Sequence, residues 1–221
     1  MSFVAQINLT DLPETYLLPR GGLLSFFYTV EAMYEDEDFF HDPNTCRVIF
    51  TPADAMSGLT RRPLPILSEE AVFRPNRAAF TPVLAVPAPE SAYLESLGLG
   101  WNKNREDFNR YWEVFLKKYR EYTGSMDYDH RLLGHPDQIQ GDMQVDCVLK
   151  STGLSYDMLR DPIVNERVAA SAMQWRLLLQ IDSEDEKTGI MFGDCGRIYF
   201  WIREDDLEAQ RYDRVLCEIQ D

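Results

Sequence analysis

The stretch VAQIN at residues 4–8 returns as LLQID at residues 178–182, and the correspondence runs on without a gap at an offset of 174 residues. Gln6 pairs with Gln180, Ile7 with Ile181, Asp11 with Asp185, Gly22 with Gly196 and Phe26 with Phe200. These five identities fall between residues 3–27 and 177–201, where average composition gives roughly one or two. Replacements keep their character: Asn8/Asp182, Leu17/Met191, Leu24/Ile198 and Phe27/Trp201. Downstream, CRVIF (46–50) answers DRVLC (213–217), with seven extra residues in the first copy around the acidic EAMYEDEDFF. Such a chain is constrained to build one unit twice. Two copies imply paired halves and not a long array, which needs three or more units.

The unit reads as β-structure. A strand ends at Asn8 or Asp182, a polar connection follows, and a glycine precedes a second strand, LLSFFYTV (23–30) or RIYFWI (197–202). Aromatic and β-branched residues favour strands. Gly22 and Gly196 are expected to supply a turn conformation that other residues resist, and a third strand carries Arg-Val. Strand alternation places Gln6 on one face with Asn8, and Gln180 with Asp182.

Different material lies between the copies. Seven prolines (Pro52, Pro63, Pro65, Pro75, Pro82, Pro87 and Pro89) break residues 51–90 into short extended segments. Residues 104–124 predict a helix in which Phe108, Tyr111, Trp112, Phe115, Leu116 and Tyr119 form one buried stripe. Asn104 with Asp107 makes its cap and Gly124 its stop. A second helix is expected over 161–173, with Asp161 capping and Pro162 in the first turn. The fold class is therefore α+β, predominantly antiparallel, in a single domain of two related β halves (about 3–50 and 177–219) and a few packed helices.

Charge bounds the partners. The chain has 37 Asp+Glu against 22 Lys+Arg, a formal net charge of −15. That field repels phosphate backbones, so no nucleic-acid partner is expected. It suits a basic protein partner, with Glu35, Asp36, Glu37 and Asp38 and then Glu204, Asp205 and Asp206 as candidate patches. No apolar run reaches the ~20 residues of a membrane span, and no signal peptide opens the chain. Cys46, Cys147, Cys195 and Cys217 are scattered, with no CxxC pair. Reduced thiols and a cytoplasmic location are expected.

Motifs for chemistry are sparse. Neither GxxxxGK[ST] nor GxGxxG occurs. FGDCG (192–196) puts Cys195 between glycines, and its alignment with Gly21 marks a turn, not a nucleophile's setting. In DHRLLGHPDQIQGDMQ (129–144), His130 and His135 are five apart and separated by Gly134 and Pro136. That spacing does not place two ligands on one helix face, so no metal and no cofactor is expected. Binding candidates are Gln6, Gln180, His130, Gln140 and Asp194, although strand glutamines more often satisfy backbone groups at a strand end.

These stretches together carry a resemblance. FVAQINLTDLP…LLPRGGLLSFFY, HRLLGHPDQIQGDMQ, WRLLLQIDSE, MFGDCGRIYFWIREDDL and YDRVLCEIQ, in that order and nearly end to end, resemble the YwqG-like family of bacterial proteins, whose biochemical function is unassigned. The resemblance implies an α+β fold with halves related by duplication. Some members are encoded beside secreted-toxin systems, which implies an immunity or partner-binding role. Such proteins usually carry a Gly/Pro-rich segment with a Trp-Pro before the AQIN strand; here the chain starts on that strand at Met1-Ser2-Phe3, so a missing leader is expected. The second half keeps a Gly-x-Pro turn at Gly134-His135-Pro136. The reading is a non-catalytic interaction module. Its competitor is an enzyme or small-ligand binder with a polar pocket near the Gln6/Gln180 strands and the 130–142 turn.

Overall fold

Alternating apolar residues over 2–51 build β1 (Ser2–Asn8), β2 (Leu23–Tyr28) and β3 (Cys46–Thr51), antiparallel neighbours in the order β1-β2-β3. The computed structural model describes residues 1–13, 17–34, 42–63, 66–101, 103–124 and 130–221. Register puts Ile7, Leu24, Phe26, Tyr28 and Val48 on one buried face. A bulge between Phe3 and Ala5 resets the alternation of β1. Phe3 and Gln6, an odd number apart, therefore share the opposite face with Phe27, Ser25 and Ile49.

The helices between β3 and residue 175 are α1 (Ala92–Ser96), α2 (Arg105–Arg110), α3 (Lys117–Thr123), α4 (Gln144–Thr152) and α5 (Pro162–Ala172). The second sheet runs β4 (Arg131–Leu132), β5 (Trp175–Asp182), β6 (Arg197–Arg203) and β7 (Leu216–Gln220), in that order. Two antiparallel sheets with separate helices make the fold α+β. The chain divides into two compact units. One comprises Met1–Val83, Glu184–Met191 and Ile202–Cys217; the other comprises Leu84–Ser183, Phe192–Trp201 and Glu218–Asp221.

The two aligned stretches have matching contacts. Leu9 N–H donates to the Gly22 carbonyl at 2.9 Å, and Ser183 N–H donates to the Gly196 carbonyl at 3.1 Å. Gly22 has a left-handed φ of +118°, and a Cβ there would lie 2.7 Å from the Thr51 carbonyl oxygen at the end of β3. Gly196 differs from expectation, because its backbone is not left-handed. Glycine is needed there for close approach, since a Cβ would collide with the Gln220 carbonyl at the end of β7. The third strands also correct the sequence alignment. Arg47 and Val48 lie in β3, but Tyr212–Arg214 is a 3-10 turn that precedes β7. The strands match as β3 with β7, not as CRVIF with DRVLC.

The helix at 104–124 forms with its expected cap: the Asn104 side chain accepts from Glu106 N and Asp107 N. Its stop is Gly124, at φ +80°. Its burial does not follow the predicted stripe. Residues Tyr111–Leu116 wind as a π-helix between α2 and α3, which inserts an extra residue into the turn. The buried positions become Phe108 and Leu116, eight apart where an unbroken α-helix repeats after about seven. Trp112 and Phe115 are turned outward, Trp112 being 49% exposed. Tyr111 and Tyr119 are tied down through their hydroxyls, which donate to the Pro87 and Leu84 carbonyls. α5 matches its prediction, with the Asp161 side chain accepting from Ile163 N and proline in the first turn. Among the described residues no helix is long and apolar enough to cross a membrane.

Candidate functional site

The polar residues of the second sheet converge on one segment. Alternation along β5, β6 and β7 sends Gln180 and Asp182, Arg197 and Tyr199, and Glu218 and Gln220 to one face. Residues 135–142 lie on that face, entered through left-handed Leu133 and Gly134 and left through left-handed Gly141. Gln180 Oε1 accepts from Asp137 N at 2.9 Å. Gln220 Oε1 accepts from Ile139 N at 2.9 Å and Gln140 N at 3.1 Å, while Gln220 Nε2 donates to the Gly141 carbonyl at 3.0 Å. Tyr199 Oη donates to the Asp137 carbonyl at 2.8 Å. Three strands thus hold the backbone of one segment, as buried polar groups require.

Arg197 anchors the charge. Its Nη1 donates to the Asp137 carbonyl and carboxylate, and its Nε lies 3.1 Å from Asp182 Oδ2. Burial disfavours the guanidinium's charge, but Asp137 and Asp182 together outweigh it and hold it more firmly protonated than usual. Burial pushes the Tyr199 hydroxyl up, so it acts as a donor and not as a base. His135 is pulled below the usual imidazole range, first by burial and then by Arg176 and Arg131. Asp142 ties together the starts of α1 and α4, accepting from Ala92 N and Val145 N at 3.0 Å each. Burial raises its carboxyl despite those bonds.

The sequence-derived candidates are distributed as follows. Gln180 and Gln140 belong to this cluster. His130 joins its edge, where Nδ1 accepts from Asp182 N at 3.1 Å. Asp194 N donates to Asp221 Oδ2, and Gln140 Nε2 donates to the Asp221 carbonyl. Gln6 belongs to the other unit, where its Nε2 donates to Ser25 Oγ at 3.0 Å. Sequence reasoning missed Arg197, Tyr199 and Gln220. The available signal was the polar alternation in RIYFWIR and LCEIQ, where a purely apolar strand would have no such period. Cys195, the exposed cysteine, sits in a turn at φ +62°. Among the described residues no three His, Cys, Asp or Glu side chains are grouped to hold a metal. A shallow depression of about 570 Å³ is lined by Trp112, Glu113, Lys117, Arg120 and Glu121, none of which belongs to the polar cluster.

Residues 1–220 match the family described as Domain of unknown function (DUF1963). The chain belongs to that family. Among curated proteins, none matches it. In this DUF1963 domain the acidic candidates divide. Glu204 and Asp205 are exposed; burial acts to raise the Asp205 carboxyl, but Arg203, the Asp206 backbone N–H and Arg211 together hold it below its usual range. Asp206 corrects the predicted patch, being only 3% exposed. It accepts from Arg211 Nε at 2.6 Å and lies 3.8 Å from Arg214, so it fastens a turn and does not face solvent. Glu35, Asp36, Glu37 and Asp38 lie outside the described residues.

Proposed function

We propose that the protein is a non-catalytic binding module of the YwqG-like kind, built by internal duplication of one β-unit, which meets a basic protein partner in an immunity-like role in the cytoplasm. The observation that carries this reading is how the polar strand residues are used. Gln180, Arg197, Tyr199 and Gln220 direct their hydrogen bonds at residues 137–141 of the chain itself. An enzyme keeps a nucleophile, base or acceptor open to substrate, and here those groups serve to hold a segment. Duplication is supported by the matching Leu9–Gly22 and Ser183–Gly196 hydrogen bonds and by the two glycines beneath strand-end carbonyls.

The partner's sign follows from the net charge of −15 and from exposed Glu204, Asp205 and Glu208. Association steered by such a surface is fast at low salt and slows as screening grows. The test is a quantitative pull-down with the wild type and an E204Q/D205N variant at low and high salt. A basic protein recovered at low salt, reduced with the variant and released by high salt is the expected result. Equal recovery by both proteins under both conditions overturns the proposal.

A further inference from the structure

We infer that the outward face of the β1–β3 sheet is a docking surface for an extended, acid-bearing peptide segment of a partner protein, held as residues 135–142 are held in the other unit. This rests on the reading of the two sheets as related copies. Their shared contacts superimpose Gln6 on Gln180, Ser25 on Tyr199 and Thr51 on Gln220. The two faces differ in what covers them. Gln180 is 0% exposed beneath the 135–142 segment, and its Oε1 receives the Asp137 N–H. Gln6 is exposed; its Nε2 is used by Ser25, and its Oε1 has no partner among the described residues. The same acceptor that holds a backbone N–H in one unit is presented to solvent in the other.

The surroundings define the partner's chemistry. Phe3 and Phe27 pack edge to face at 5.7 Å between centroids. Phe3 is 41% exposed, and Ile49, directly across from Ser25, is 43% exposed. Large apolar side chains grouped on one sheet face mark an interaction site more than scattered ones do. Leu23 stands where Arg197 stands in the other copy, so the partner's residue at the Asp137 position is apolar. Arg47 lies across from Phe27, exposed and without an ion pair to any described residue. This cation, in a chain of net charge −15, selects an acidic side chain on the segment. The occupant is an extended peptide with apolar residues over Phe3, Phe27 and Ile49, a carboxylate for Arg47 and a backbone N–H for Gln6.

The probe is a synthetic peptide with the sequence of residues 133–142 in which Asp137 is replaced by leucine, titrated into isotope-labelled full-length protein. Saturable amide shifts confined to residues 2–8, 23–28 and 46–51 are expected, with affinity falling about tenfold or more in Gln6→Ala and Ile49→Lys. Both substitutions are on the surface, and unchanged amide shifts elsewhere verify that each variant folds. No saturable shift at about 2 mM peptide overturns the inference. So does a concentration-dependent dimer that Ile49→Lys abolishes, which assigns the face to a second copy. Failure of the titration removes the docking surface alone. An experimental structure in which Gln6 and Gln180 do not superimpose removes the duplication reading beneath it.

Discussion

Glu218 and Lys150 form a buried ion pair, 2.8 Å apart, with side chains 13% and 7% exposed. Burial pushes the Glu218 carboxyl up to about 7 even though Lys150 opposes the shift. A carboxyl raised on folding contributes stability fully below its unfolded value, near 4.5, and loses it as pH rises through about 7. Urea unfolding should therefore show stability declining between pH 5 and pH 7.5, with the Glu218→Gln variant losing that slope. Lys150→Met strips the carboxylate of its partner, and we expect a loss of about 3–5 kcal/mol at pH 8 that shrinks at pH 5. Gly196→Ala should cost about 2–4 kcal/mol, because the obstructing atom is a backbone carbonyl that cannot move aside. At this scale the sequence marked Gly196 correctly but assigned it the wrong reason. A turn glycine and a close-approach glycine look alike until the neighbouring strand is placed.

The helix from α2 to α3 shows what periodicity hides at the scale of elements. Six aromatic and apolar residues at α-helical spacing predicted one buried stripe, yet a single π-helical stretch moves Trp112 and Phe115 out. Nothing in the residue types announces that stretch. Tertiary anchors hold it in place, the Tyr111 hydroxyl at its first residue on Pro87 and the Tyr119 hydroxyl beyond its end on Leu84. Phe108→Ala should consequently cost about 3–5 kcal/mol, whereas Trp112→Ala should stay within about 0.5 kcal/mol, as exposed positions do. Chemical denaturation midpoints of the two variants check this ordering. The strands were more legible, since LLSFFY and RIYFWI carry aromatic and branched residues that suit little else. The third strand slipped because Arg-Val is too short a match to fix a register. The segment at 135–142 was singled out for its histidines, although its backbone is what the cluster recognises.

Over the whole molecule, the α+β class with its antiparallel sheets and the acidic balance were readable from the sequence, while the division into two units was not. Contact order between remote segments has no local signature. Four free cysteines are present, and Cys195 alone is exposed while Cys46, Cys147 and Cys217 are buried. A thiol reagent should accordingly modify one cysteine rapidly in the native protein and the other three only after unfolding. The two units also interleave along the chain: the first draws on residues 202–217 and the second on 218–221. A nascent chain that has just delivered residue 201 has made β1 to β5 and most of β6, but has completed neither unit. Gln220, which holds the 135–142 segment, arrives about eighty residues after the backbone it binds. Order of synthesis and order of assembly are therefore uncoupled, and a cut at any single peptide bond between residues 84 and 201 leaves pieces of both units on each side.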